Sequence, residues 1–177
     1  MTNVKQEKMI ITGPSGSGKD FLRKDLLNKG LKYQPKFTTR PKRKGEVDGE
    51  DYEFIDYNLY VELYKQGRIK TSQSFVINNV NWYYGVTKEN WDNNQIFIMT
   101  PHEIGQLNEE ELKGCFVVYL KIDDLTRKTR ILERNDSNDS VVRRIEADNE
   151  DFKNFNKYDL CITDSEFESD WIFDLMN

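Results

Sequence analysis

The residues whose spacing most directly suggests chemistry lie near the start of the chain. From Gly13 to Lys19 the sequence fits the pattern G-x-x-x-x-G-K, with Asp20 where Ser or Thr is usual. A β-like run, Lys8–Thr12, precedes the motif, and a segment with helical spacing of apolar residues follows it as far as Gly30. Glycines let backbone N–H groups close around phosphate oxygens at a helix N-terminus. The pattern therefore predicts a phosphate-binding loop, against the alternative of an ordinary Gly-rich turn.

The loop residues are assigned to the phosphates of ATP. They are Gly13, Pro14, Ser15, Gly16, Ser17, Gly18, Lys19 and Asp20. Lys19 is also predicted to be catalytic, because its ammonium group reaches the outer phosphates. Asp20 is a candidate Mg²⁺ ligand, since a hard cation prefers oxygen and the strand-like run at 95–100 contains no acidic residue. The alternative is that Asp20 only complements the dipole of the helix.

A cationic stretch at residues 36–44 is followed directly by an acidic one at residues 46–53. Together with Phe54 they read K-F-T-T-R-P-K-R-K-G-E-V-D-G-E-D-Y-E-F. A planar guanidinium can donate two hydrogen bonds to one phosphate, and tyrosine hydroxyls add further donors. The alternatives are a solvated basic loop or an RNA-binding patch for the arginines, and packing in a β region for the tyrosines.

Further arginines lie on two predicted helices near the end of the chain. Arg127, Arg130 and Arg134 have i, i+3, i+7 spacing and share one helical face. Arg144 lies near the start of the next predicted helix, at about 141–153. Transfer of a phosphoryl group needs mainly positioning and cancellation of charge, which arginines supply. The alternative is a set of surface salt bridges with neighbouring glutamates.

The phosphate-loop motif, the block T-T-R-x-x-R-x-G-E-x-x-G-x-D-Y-x-F and the later Tyr83-Tyr84-Gly85 resemble the guanylate kinase family. The match runs in order from roughly Ile10 to Asp164. The resemblance implies that side chains of the block and of the Tyr-Tyr-Gly segment grip the monophosphate of the acceptor. The acceptor-binding residues implied in this way are Arg40, Arg43, Tyr52 and Tyr84, with Glu46 orienting the arginines. Thr100, at the end of a run where the family has Asp, is a further acceptor-binding candidate.

The resemblance also implies an activity and a catalytic set. In the family, R-x-x-x-R, a short lid and an Arg on the next helix close over the phosphoryl group, and Arg130, Arg134 and Arg144 match those positions. The implied function is that of an ATP- and Mg²⁺-dependent nucleoside monophosphate kinase. It would phosphorylate GMP, dGMP or another ribo- or deoxyribonucleoside monophosphate to the diphosphate.

The residues that read guanine in the family are mostly different here. No Asp or Glu occurs between Glu62 and Glu89, and Lys36 and Val86 stand where the family has Ser or Thr. Two alternatives therefore stay open. One is a sugar-phosphate kinase, because ribose 1,5-bisphosphate phosphokinases are similar in the G-K-D and Y-G-V tripeptides, here at 18–20 and 84–86. The other is a guanylate-kinase-like binding module without catalysis.

Strands that alternate with helices predict an α/β fold, with a P-loop NTPase-like parallel sheet flanked by helices. A small β-rich acceptor-binding insertion and a helical lid are expected to complete it. One domain is predicted over residues 1–177, with its core at 1–35, 91–129 and 151–177, the insertion at 36–90 and the lid at 130–150. Asp56 should cap a helix that ends near Gly67, Arg68–Thr87 should form short strands, and Glu166–Met176 a last helix.

Composition limits the classes of protein that fit. The 177 residues carry 26 Lys and Arg against 31 Asp and Glu, and the net charge of −5 argues against a nucleic-acid or membrane partner. The single histidine, His102, excludes a serine triad and a histidine-based metal site, and Cys115 and Cys161 are predicted to be buried, reduced thiols. The expected protein is cytoplasmic, a monomer or homodimer, with small-molecule nucleotides as its partners.

Overall fold

The computed structural model describes residues 6–77, 79–133 and 141–175. The chain forms two compact units, the first made of the residues up to Leu31 and from Ile98 onwards, the second of Lys32–Phe97. In the described part the strands are β1 (Lys8–Thr12), β2 (Phe37–Thr38), β3 (Glu53–Phe54), β4 (Ile69–Ile77), β5 (Val80–Thr87), β6 (Ile96–Ile98), β7 (Cys115–Leu120) and β8 (Leu160–Ile162).

The helices of the same residues include several that are only one or two turns long. They are α1 (Lys19–Asn28), α2 (Tyr57–Lys65), α3 (Lys88–Asn93), α4 (Pro101–Ile104), α5 (Glu109–Lys113), α6 (Asp124–Glu133), α7 (Val141–Phe152) and α8 (Asp170–Asp174). None of the helices within these described segments has the length and apolar character that a membrane crossing requires.

One four-stranded sheet has the order β6-β1-β7-β8, and its strands β1, β7 and β8 lie in the first unit. β1 pairs with β7 in parallel, with Ile10 opposite Val117, and β7 pairs in parallel with β8. All six residues of β7 are buried, as a central strand requires. The predicted α/β fold with a parallel sheet is confirmed. Cys115 is buried as expected, but Cys161 on the edge strand β8 is only half-buried, so that part of the prediction was wrong.

The second unit has its own four-stranded sheet, in the order β3-β2-β5-β4. The expectation of short strands at 68–87 was wrong, because β4 and β5 are nine and eight residues long and pair antiparallel as one hairpin. Asn79 beside the turn has φ of +62°, a conformation that Asn tolerates better than most residues. Polar residues fit such a hairpin since alternate side chains face opposite sides of the sheet.

The helix ends follow local hydrogen bonds. Asp56 caps α2 by accepting from the Leu59 N–H at 2.8 Å, which confirms the prediction for that helix. The last helix is much shorter than predicted, because the backbone before it turns. The Glu166 N–H donates to Asp164 Oδ1 at 2.9 Å, and this turn keeps Glu166 from starting a helix.

Gly85 on β5 provides a test of packing in the second unit. A Cβ at this position would lie 2.2 Å from the Thr71 carbonyl oxygen and 2.7 Å from the Phe37 ring, and Phe37 is almost fully buried. We expect Gly85→Ala to lower the free energy of unfolding by about 2–3 kcal/mol, measured by urea denaturation. Gly114→Ala is the matched control, since its Cβ would find ordinary contacts from 3.5 Å. A Gly85→Ala protein as stable as the control would contradict the packing.

Candidate active site

The phosphate-loop motif lies between a strand and a helix, as its chemistry requires. β1 ends at Thr12 and α1 begins at Lys19. A Cβ on Gly13 would lie 2.7 Å from both the Leu120 carbonyl oxygen and Ser17 Oγ. Gly16 has φ of +77°, and its Cβ would lie 2.8 Å from the Arg127 carbonyl oxygen. Only glycine fits at these two places, because neighbouring backbone closes on the loop.

Polar groups are concentrated at the loop. Lys19 Nζ donates to the carbonyl oxygens of Gly13 at 2.7 Å and Pro14 at 2.9 Å. The hydroxyls of Thr12 and Ser17 are fully buried and have no hydrogen-bond partner among the described residues. A buried hydroxyl without a partner costs free energy, so both groups are unusual features of the loop.

Asp20 lies in the first turn of α1. Its carboxylate is 59% exposed and lies 3.5 Å from Nε of Arg23, one turn further along the helix. An accessible carboxylate of this kind fits the oxygen-ligand preference of Mg²⁺. Within the described residues no cluster of three or more Asp, Glu, His or Cys side chains is placed to hold a metal ion. The metal role of Asp20 stays a prediction.

Arg130 lies against the loop and beside a cavity. Its Nη2 donates to the Ser165 carbonyl oxygen at 2.8 Å, and its Nη1 to that of Gly16 at 3.4 Å. The cavity has a volume of about 400 Å³ and is lined by Gly18, Phe21, Arg130, Ser165, Glu166 and Phe167. Arg144 is half-buried on α7, whereas Arg134 and the centre of the predicted lid fall outside the described residues.

Two residues at the loop were given no role from the sequence. Arg127 Nε donates to the Ser15 carbonyl oxygen at 3.0 Å, and Asp148 Oδ2 accepts from the Ser15 N–H at 2.8 Å. Sequence spacing had placed Arg127 on the same face as Arg130 but supplied no partner for it. Sequence reasoning missed Asp148, because its hydrogen bond to Ser15 joins residues 133 positions apart and no local pattern indicates such a contact.

In the second unit, Arg40 is the centre of a charged and aromatic cluster. Arg40 is 7% exposed and forms a bidentate pair with Glu46, in which Nη1 donates to Oε2 at 2.7 Å. The same Oε2 accepts from the Arg43 N–H at 2.7 Å. The guanidinium carbon lies 5.1 Å from the centre of the Tyr52 ring and 5.4 Å from that of Phe54. Cation–π contact and hydrogen bonding thus hold the guanidinium in place.

Tyr84 joins this cluster through its ring. The centres of the Tyr52 and Tyr84 rings lie 5.7 Å apart in an edge-to-face arrangement, and Phe75 packs on Tyr84 in the same way at 5.5 Å. Four of the predicted acceptor-binding residues are therefore linked in series, from Glu46 to Arg40, Tyr52 and Tyr84, and Arg43 adjoins them through its backbone. An arginine and two tyrosines held in this way can donate several hydrogen bonds to one phosphate.

Other residues of the same block build the backbone around the cluster. Thr38 Oγ1 accepts from the Arg40 N–H at 3.3 Å, and Thr39 Oγ1 from the Tyr83 N–H at 2.9 Å. Asp48 accepts from the Phe54 N–H at 2.9 Å, and Asp51 from that of Val47 at 2.7 Å. Asp48 and Asp51, two acidic residues of the stretch, are therefore explained by loop geometry, since their carboxylates accept from backbone donors.

The charges of the cluster reinforce one another. The hydrogen bond from the Arg40 guanidinium holds the pKa of the Glu46 carboxyl below its usual value, against the opposing effect of burial. Burial alone would lower the pKa of Arg40, but its hydrogen bond to Glu46 and the neighbouring tyrosines raise it. Both groups are therefore ionised at neutral pH, as a phosphate-binding cluster needs.

Thr100 belongs to the first unit and has a structural contact there. Its Oγ1 accepts from the Glu103 N–H at 3.2 Å, while its own N–H donates to Glu103 Oε2 at 2.9 Å. These two bonds form the capping box of α4. Its predicted role in binding the acceptor would have to coexist with this cap.

A parallel α/β sheet with a glycine-lined loop and a lysine between its first strand and helix defines a P-loop nucleotide-binding protein. A family model described as guanylate kinase matches residues 5–172. The guanylate kinase of Trichormus variabilis is 32% identical over 170 residues, which cover 91% of this chain and 83% of the relative. That of Streptococcus mutans is 29% identical over 168 residues, covering 89% and 78%. The chain belongs to the guanylate kinase family.

The fold agrees with this assignment. The crystal structure of guanylate kinase from Anaplasma phagocytophilum superposes with a TM-score of 0.69 at 19% sequence identity, covering 98% of this chain and 85% of the other. The family model and the relatives show that the chain is a kinase with nucleotide substrates and nucleoside monophosphate kinase activity. The comparisons do not favour the sugar-phosphate kinase or the non-catalytic binding module.

The Arg40–Glu46 pair predicts a pH-dependent stability. Because the folded-state pKa of Glu46 lies below its usual 4.5, the pair stabilises the fold fully above about pH 4.5. This contribution is lost as the pH falls through the folded-state pKa. We expect Glu46→Gln to lower the free energy of unfolding by about 1–3 kcal/mol at pH 7, and by less at pH 3, in urea titrations.

The control for this experiment is Glu62→Gln on α2, where the residue is exposed. It should change the free energy of unfolding by less than about 0.5 kcal/mol at neutral pH. A Glu46→Gln effect that did not shrink between pH 7 and pH 3 would contradict the assigned role of the ionised pair.

Proposed function

We propose that this kinase transfers the γ-phosphoryl group of ATP to GMP or dGMP, giving ADP and the nucleoside diphosphate, with another ribo- or deoxyribonucleoside monophosphate as the alternative acceptor. The observation that carries the proposal is the Arg40 cluster. Among the described residues, Pro41 and Glu46 accept hydrogen bonds from three of the five N–H donors of Arg40. The other two donors are left for a ligand.

The monophosphate of the acceptor is the ligand that this cluster suits. Arg40 and Arg43 supply positive charge, and the Tyr52 and Tyr84 hydroxyls supply neutral donors. Glu46 orients Arg40, so little conformational freedom is lost when the phosphate binds. The names of the relatives support GMP as the first acceptor to test.

Recognition of the base would rest on neutral side chains. Gln73 on β4 pairs directly with Tyr84 on β5, so the two side chains share a face of the hairpin. A carboxamide offers both a donor and an acceptor, which matches the N1–H and O6 edge of guanine. Ser72, Ser74, Asn78, Asn79 and Thr100 are the further neutral candidates.

The donor nucleotide is assigned to the first unit. Residues 13–20 would cradle its phosphates, with Lys19 beside the transferred group. The cavity next to Gly18 suits the base, because Phe21 and Phe167 pack edge-to-face at 5.6 Å and Arg130 lines the same space. Arg130, Arg134 and Arg144 would cancel the charge that develops on the phosphoryl oxygens, and closure of the lid would exclude water.

A Mg²⁺ ion fits the residues of the loop. Asp20 would hold it, since its carboxylate is accessible and its one described ion pair, with Arg23, is long at 3.5 Å. When bound, Mg²⁺ neutralises charge on the terminal phosphates of ATP. We also infer that the protein is a cytoplasmic monomer or homodimer that acts on free nucleotides. The acidic net charge of −5 supports free nucleotides over a nucleic acid or an anionic membrane as the partner.

The first experiment measures ADP production from ATP and Mg²⁺ with a panel of acceptors. The panel contains GMP, dGMP, AMP, dTMP, dUMP, dCMP and ribose 1,5-bisphosphate. We expect the highest kcat/KM with GMP or dGMP. A higher value with another nucleotide would overturn the guanine assignment, and turnover of ribose 1,5-bisphosphate alone would overturn the class of acceptor.

The role of Lys19 gives a second prediction. Lys19→Ala removes the ammonium group at the loop, so kcat should fall by roughly 10²–10³-fold in the same ADP assay. Lys24→Ala, an exposed lysine on the same helix, is the matched control and should stay within about twofold of the wild type. Full turnover by Lys19→Ala would refute the mechanism.

The metal assignment gives a third prediction. Asp20→Asn keeps the shape of the side chain but removes the charge that binds Mg²⁺. We expect the Mg²⁺ concentration that gives half-maximal activity to rise by about tenfold, because a metal–carboxylate contact is lost. Arg23→Gln, which removes the partner of Asp20 and leaves the carboxylate, is the control. An unchanged Mg²⁺ titration for Asp20→Asn would exclude a metal role.

A further inference from the structure

Arg127 is a charged residue that the proposed transfer does not use, yet it is 1% exposed. Four of its five N–H donors have partners. Nε donates to the Ser15 carbonyl oxygen at 3.0 Å, and Nη1 to Asp124 at 2.8 Å and Asn149 at 3.0 Å. Nη2 donates to Asp148 Oδ2 at 3.1 Å. A guanidinium so fully occupied inside the protein is built for a structural task, because it has little capacity left for a ligand.

Asp148 completes a closed set of contacts. The Oδ2 atom that accepts from Arg127 also accepts from the Ser15 N–H at 2.8 Å. The two peptide groups that flank Ser15 are therefore held by opposite partners, one by the guanidinium and one by the carboxylate. We call Arg127 and Asp148, with their hydrogen bonds to Ser15, the Ser15 clasp.

The clasp ties two helices to the phosphate-binding loop. Arg127 lies on α6 and Asp148 on α7, and the backbone of Arg127 also closes on Gly16. Arg144 precedes Asp148 by four residues on α7, so the two lie on the same side of that helix. A change at the clasp would therefore disturb both the loop and the helix that carries a predicted catalytic arginine.

Energetics favours a role in positioning over a role in stability alone. A buried ion pair must overcome the cost of removing both charges from water, and apolar residues of similar volume are often as stabilising. Such a pair can nevertheless specify one conformation through directional hydrogen bonds. A phosphate-binding loop requires one defined conformation, because its N–H groups must be oriented toward the phosphate before the ligand binds.

We propose that Arg127 and Asp148 are positioning residues that fix the peptide groups of Ser15, and thereby the conformation of the loop that binds the donor phosphates. The proposal rests on the proposed function only for the identity of the donor nucleotide. ATP affinity is therefore measured by titration calorimetry, separately from turnover.

The test is a double-mutant cycle with Arg127→Leu, Asp148→Ala and the double variant. Asp148→Ala leaves the buried Arg127 with Asp124 as its one described carboxylate partner, and Arg127→Leu leaves the half-buried Asp148 without its cation. Each single variant should therefore lower both the urea midpoint and the ATP affinity. The double variant should regain most of the urea midpoint, whereas its Kd for ATP and its kcat should stay about 10- to 100-fold worse than those of the wild type. Recovery of ATP affinity together with stability would overturn the proposal.

A second test variant and a control variant complete the experiment. Arg127→Lys keeps the buried charge but lacks the planar fork, so the Kd for ATP should still rise about tenfold even if the double variant fails to fold. Wild-type affinity of Arg127→Lys would contradict the clasp. Arg68→Leu with Glu89→Ala removes an exposed ion pair of 2.7 Å in the second unit and should leave the Kd for ATP unchanged.

The two proposals fail in different ways. A wild-type chain that binds ATP but phosphorylates no acceptor would refute the proposed function, and the affinities of the variants would still test the clasp. A wild-type chain that does not bind ATP would overturn both.

Discussion

The structure depends on one constraint, which is the close approach of neighbouring backbone to the loop at residues 13–18. β7 ends against Gly13 and α6 passes beside Gly16, at distances where no Cβ fits. The buried parallel pair of β1 and β7 fixes where the loop begins, because its five paired residues leave no freedom of register. The position of α1, and with it Lys19, follows from the way the loop leaves this pair.

The phosphate-loop motif, the helix cap and the central strand could be predicted from the sequence, because each depends on a local residue pattern. The glycine spacing before Lys19, the cap at Asp56 and the apolar run of β7 each depend on residues close together in the chain. The charged block around Arg40 is similar, since its ion pair with Glu46 spans only six residues. Contacts between residues so close in sequence can be recognised as a motif.

The remaining features depend on contacts between distant residues or on the competition of several weak local preferences. The bond between Ser15 and Asp148 spans 133 residues, and nothing near Asp148 indicates it. The length of the β4–β5 hairpin was misjudged because its polar residues resemble those of turns. The last helix was placed too early because its acidic and apolar pattern did not reveal the Asp164 turn.

Two buried arginines differ in how many of their N–H donors are used by neighbouring protein groups. Arg127 donates four of its five N–H groups to neighbouring protein atoms, so it has one donor left for a ligand. Arg40 is also buried, but its single carboxylate partner and one carbonyl leave two donors for a ligand. By burial alone, both arginines would be interpreted as residues that only stabilise the fold. The number of donors in use instead supports the proposed positioning role for Arg127 and the proposed phosphate-binding role for Arg40, because Arg40 has two donors left from which a phosphate oxygen can accept.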